Sequence, residues 1–123
     1  MNQTKRNDAH SYFESRISAC KADIAALNAD DRQDEAIFVK IQLNVYDIFN
    51  TVLSAAEKSA GDDDGKLLEF FLTRLQQIPQ NWNTALANAG QHGDVEKAHL
   101  EQIKLDAAAE IRQAFEQIWE VSK

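Results

Sequence analysis

The sequence predicts an all-α protein, an up-down-up-down antiparallel four-helix bundle whose third helix is kinked or broken at Pro79. Three observations lead there. Apolar residues recur at helical spacing through segments that are too long for strands and rich in Ala, Leu, Gln, Glu and Lys. Turn residues gather in clusters at Asn28-Ala29-Asp30-Asp31, Gly61-Asp62-Asp63-Asp64-Gly65 and Gly90-Gln91-His92-Gly93-Asp94. Rods of comparable length joined by such short loops pack as antiparallel neighbours.

The first helix is expected over about residues 8–28, with Asp8 as its N-cap and residues 1–7 as a flexible lead-in. At about 100° per residue, Ala9, Tyr12, Phe13, Ile17, Cys20, Ile24 and Leu27 fall on one stripe, and Arg16 and Asp23 intrude near its edge. The second helix is expected from near Asp31 to about Ser59, with the stripe Ile37, Phe38, Ile41, Val45, Ile48, Phe49, Val52 and Ala56. A further set, Val39, Leu43, Tyr46 and Leu53, widens its apolar face. A face that wide marks either the most buried helix or an interface, so these four residues are candidates for binding a partner.

In the third segment Leu67, Phe71, Leu75 and Ile78 precede the proline, and Trp82, Ala85, Leu86 and Ala89 follow it in the same angular phase. Proline removes a hydrogen bond and clashes with the preceding turn, so one bent rod is expected over about 66–89, with Gly90 as its left-handed stop. The fourth helix is expected over about 95–121, capped by Asp94. Its stripe is Leu100, Ile103, Ala107, Ala108, Ile111, Ala114, Phe115, Ile118 and Trp119. Lys104 falls inside that stripe, an inconsistency resolved if its stem lies on apolar surface and its ammonium reaches water.

Composition narrows the function classes. The chain has 123 residues, and at about 100–200 residues per domain it reads as a single domain over residues 1–123. A chain of this size buries roughly two-thirds of its unfolded surface and folds without metal or disulfide. A formal charge of −7 argues against nucleic acid and against an anionic membrane, both of which recruit clustered basic residues. Cys20 has no internal disulfide partner, no long apolar run occurs, and Met1 to Asp8 is polar, so a cytoplasmic protein is expected. Asn2-Gln3-Thr4 fits a glycosylation acceptor, which carries little meaning in that setting.

The topology also groups charges at the ends of the bundle. One end should bring Lys5 and Arg6 near Asp62, Asp63 and Asp64. The other should gather Asp30, Asp31, Asp34 and Glu35 with His92, Asp94, Glu96 and His99. Oxygen and imidazole ligands together suit a divalent cation, which makes Asp31, Asp34, His92, Asp94, Glu96 and His99 candidate metal ligands. Glu96 and His99 have the Glu-x-x-His spacing of di-iron bundles, but the second copy that such a site needs is absent. The bland alternative is a solvated helix start, where the macrodipole favours carboxylates. Read as a calcium loop with Gly65 at position 6, the aspartate run puts Ala60 at position 1 and Phe71 at position 12, so it lacks two ligands.

Catalysis finds no support. Cys20 lies mid-stripe, where a thiol is packing, and neither a phosphate loop nor a nucleophile elbow appears. Trp82 and Trp119 fall on or beside apolar stripes and read as core, or as part of a partner patch. No cofactor is expected. The leading expectation is a non-enzymatic module for protein–protein interaction or self-association, including an acidic protein that neutralises a basic partner. The alternative is a divalent-metal-binding bundle or metal-dependent enzyme at the acidic and histidine-bearing end. A small ligand held in the interior near Lys104 and the Pro79 bend ranks last.

Overall fold

The computed structural model describes residues 3–119. Its elements are α1 (Gln3–Ala29), α2 (Gln33–Ala60), α3 (Asp64–Gln77), α4 (Gln80–Gln91) and α5 (Val95–Trp119). α3 and α4 form one bent rod, so the architecture is the expected four-helix bundle. Ile78 keeps right-handed helical dihedrals and donates to the Arg74 carbonyl at 2.9 Å. Pro79 sits at φ −69° and ψ −8°, and its carbonyl accepts from Asn83 at 3.0 Å to restart the helix. The missing proline N–H thus bends the rod without ending it.

Helix boundaries differ from expectation where tertiary contacts or backbone geometry intervene. Residues 3–7, expected as a lead-in, are the first turns of α1, and Asp8 is interior to the helix rather than its cap. The reason is Arg6, which is buried against Asp64 of α3 and carries the preceding turn with it. Asp31 does not open α2; it adopts φ +60° in the connection, and Arg32 occupies the cap position without a side-chain bond. Gly90 lies inside α4, and the left-handed residue after that helix is Gly93, at φ +69°. Two caps follow side-chain chemistry: Asp63 Oδ1 accepts from Lys66 N at 3.1 Å, and Asp94 Oδ1 accepts from Lys97 N at 3.0 Å. Residues 120 and 121, expected to end the last helix, lie outside the described residues.

α2 packs against α1, α3 and α5, and α5 packs against α4, α2, α1 and α3. α2 and α5 therefore form the close diagonal of the bundle. α3 rests on α2, and beyond Pro79 the same rod rests on α5 as α4. Each rod contributes one fully buried phenylalanine: Phe13, Phe49, Phe71 and Phe115. The Phe71 and Phe115 rings stack in parallel at 3.9 Å between centroids, and Phe13 meets them at 6.3 and 5.8 Å. Phe49 closes the group at 6.2 Å from Phe71. Burying one such side chain stabilises a fold by about 2–3 kcal/mol.

This core occupies the proximal end, where α1 begins, α2 meets α3 and α5 finishes. Toward the distal end, α1 buries no residue between Lys21 and Ala29, and α2 buries only Ala36 before Val45. α4 buries only Ala89. Among the described residues, no helix is long and apolar enough to cross a membrane.

Candidate functional site

The wide face of α2 divides differently from the sequence expectation. Tyr46 and Leu53 are buried, and Val39 and Leu43 are half-buried against the core. α1, α3 and α5 flank the helix, so that of these four partner-binding candidates Tyr46 and Leu53 are covered and Val39 and Leu43 are partly covered. Two residues assigned to the core stripe are instead exposed, Ile37 at 47% and Ile48 at 39%. The true centre of the buried face lies between the two sets, on Ala36, Val45, Tyr46, Phe49, Leu53 and Ala56.

The distal end brings α2 and α5 together through an edge-on contact between the Phe38 and His99 rings, 4.9 Å between centroids. Beside that contact lies a cleft of about 360 Å³ lined by Asp34, Ile37 and Phe38 from α2 and by Glu96 and Leu100 from α5. The carboxylates thus stand one on each wall, with apolar side chains between them. Val95, at the start of α5, is 80% exposed. The other carboxylates nearby are engaged locally. Glu35 makes a two-point ion pair with Arg32, which also reaches Asp30 at 3.7 Å.

The metal-ligand candidates take separate roles. His92 Nδ1 is 2.7 Å from the Asn88 carbonyl, Asp94 caps α5, Asp31 accepts from Gln33 at 3.3 Å, and His99 packs on Phe38. Asp34 and Glu96 share the cleft, without an imidazole among its lining groups. Among the described residues, no group of three or more His, Cys, Asp or Glu side chains is placed to hold a metal ion.

At the proximal end the expected charge contact forms. Arg6 Nε donates to Asp64 Oδ1 at 2.9 Å, and Trp119 Nε1 donates to Asp64 Oδ2 at 3.4 Å. Asp64 thereby joins α1, α3 and α5. The pair is more enclosed than a surface ion pair, with side-chain exposures of 11% and 16%.

Two polar groupings escaped the sequence reading. Glu101 is buried and lies 2.8 Å from Lys104 Nζ, which stands 5.9 Å from the centre of the Trp82 ring. Lys104 thus meets a carboxylate and an aromatic face, and its place on the apolar stripe was the signal for that partner. Farther along, Tyr12 and Tyr46 both donate to Glu110 Oε2, at 2.7 and 2.5 Å. Arg16 Nε donates to the Tyr46 hydroxyl at 3.3 Å. The cluster ties α1, α2 and α5, and the intrusion of Arg16 on the first stripe was its one visible trace.

Burial raises the pKa of both phenols and the hydrogen bonds to Glu110 add to the effect; Tyr46 is pushed up to about 12. The fold therefore holds these protons more tightly than the unfolded chain does, and their contribution is complete below the ordinary tyrosine pKa of about 10. Stability is expected to fall as pH rises past that value and through about 12. Urea midpoints measured across this range should show the decline in the native sequence, part of it lost in Tyr46→Phe and most of it in the double variant with Tyr12→Phe. A decline of equal size in the native sequence and Tyr46→Phe would remove the Tyr46 proton from this account.

Cys20 is 3% exposed, and burial raises the pKa of its thiol. Both effects suppress the thiolate that reacts with disulfide reagents. Labelling of the folded protein is expected to be at least about 100-fold slower than labelling in denaturant. Comparable rates in the two conditions would place the thiol at the surface.

Fold and polar groups together define the class: an antiparallel four-helix bundle, cross-tied by charge at one end and open between two of its helices at the other. Compared with family models, with curated proteins and with solved structures, the chain matches none.

Proposed function

We propose that the protein is a non-enzymatic, cytoplasmic helical module that works by binding a basic protein. The observation that carries this reading is the coincidence, at the distal end, of exposed apolar side chains and unneutralised carboxylates. Ile37 and Val95 stand out of the surface there, and Asp34 and Glu96 flank the cleft. Apolar area supplies the adhesive term, and the acidic surface of a chain with net charge −7 steers a cationic partner toward it. Self-association through the same surface would bring like charges together, which costs free energy.

Retention of proteins from native cell extract on the immobilised chain tests the reading. The expected result is a partner of basic isoelectric point whose retention falls at least about 10-fold between low and moderate salt. Retention that ignores salt, or no specific partner, would overturn it.

A further inference from the structure

We propose that the cleft between α2 and α5 receives one face of a short amphipathic helix with Lys or Arg on both sides of its apolar stripe. This rests on the protein-binding reading above and names the partner's shape and the place where it docks. The apolar lining of the cleft is Ile37, Phe38 and Leu100, and its carboxylates, Asp34 and Glu96, come one from each helix. A ligand that seats apolar side chains against that lining while placing a cation beside each carboxylate needs charge on both flanks of its stripe.

Helical form follows from the walls. Both are α-helices, whose backbone groups beyond the first turn bond along the helix and not across it. An extended peptide would find no edge to pair with, whereas a helix satisfies its own backbone and presents anchors at helical spacing. A second copy of this acidic chain would place carboxylate against carboxylate at the rim.

The probe is a synthetic Leu/Lys peptide patterned as an amphipathic helix, measured by fluorescence anisotropy against a same-composition scramble and a Leu/Glu counterpart. The patterned basic peptide is expected to bind at least about 10-fold more tightly than either control. Ile37→Ser, Leu100→Ala and the double variant Asp34→Lys with Glu96→Lys should each weaken it at least about fivefold. Ile48→Ser, an exposed isoleucine of α2 outside the cleft, should leave binding unchanged, with folding of every variant checked by circular dichroism.

Equal binding of the scramble, no binding of the patterned peptide, or indifference to the cleft substitutions would overturn the docking proposal. So would a dimer in sedimentation that Ile37→Ser dissolves. In any of these cases, salt-sensitive retention of a basic partner would leave the broader protein-binding reading standing; its loss would remove both.

Discussion

Truncating Phe71 or Phe115 to alanine is expected to lower the unfolding free energy by about 3–5 kcal/mol. Both side chains are fully buried, and their rings lie parallel at 3.9 Å. Each truncation removes transfer free energy and leaves a void that the surrounding rings of Phe13 and Phe49 fill only in part. With domain stabilities of about 5–15 kcal/mol, either change consumes a large share of the total. The pair should also be non-additive. Stacked aromatics contribute about 0.5–1.5 kcal/mol beyond buried area, so the double variant should lose less than the combined single losses by roughly that amount. Urea denaturation of the four proteins gives the cycle. Single losses under about 1 kcal/mol would mean that the rings do not share an interior.

Removing the Asp64 carboxylate is expected to produce the second-largest effect. Asp64→Ala leaves the Arg6 guanidinium in a position where its side chain is only 11% exposed, without its carboxylate. The expected loss is about 3 kcal/mol, the lower end for breaking an enclosed pair because some solvent reaches it. Replacing both members, Arg6→Met with Asp64→Leu, should recover the part of that loss that lies in the stranded charge, leaving the part that comes from the Trp119 N–H. Asp63→Ala, one residue earlier, removes only a helix cap and should cost about 1 kcal/mol. If Asp64→Ala costs no more than Asp63→Ala in denaturation experiments, the ion pair carries no special weight.

The Arg6–Asp64 contact also shows how much the sequence could disclose. Alternating rods place the start of the chain beside the second loop, so this juxtaposition followed from topology alone. Its depth did not, because phase along a helix fixes an angle about its axis and not how closely a neighbour approaches. The same limit misplaced Ile37 and Ile48. α2 carries two overlapping apolar sets, and only the positions of α1, α3 and α5 decide that the buried arc runs between them. Four inward stripes were otherwise legible, down to Phe13, Phe71, Phe115 and Trp119.

At the distal end, the sequence brought together the right segments but not the contacts that their side chains make. Asp34, Glu96 and His99 do gather near the meeting of α2 and α5, but His99 packs its ring on Phe38, and the cleft beside them adds Ile37 and Leu100 to the two carboxylates. No periodicity argument distinguishes a histidine that faces carboxylates from one turned a fraction of a helical step onto a phenylalanine. Glu110 was harder still: it is a surface residue by phase, and its two tyrosines come from other helices.

Confining the tightly packed phenylalanines to one half of the molecule separates two kinds of mutational tolerance. Substitutions around Phe71 are policed by folding itself, whereas those around Ile37 and Val95 are nearly free of that constraint. Such a scaffold can change the surface chemistry of its open mouth through a handful of substitutions, with its melting behaviour left almost untouched.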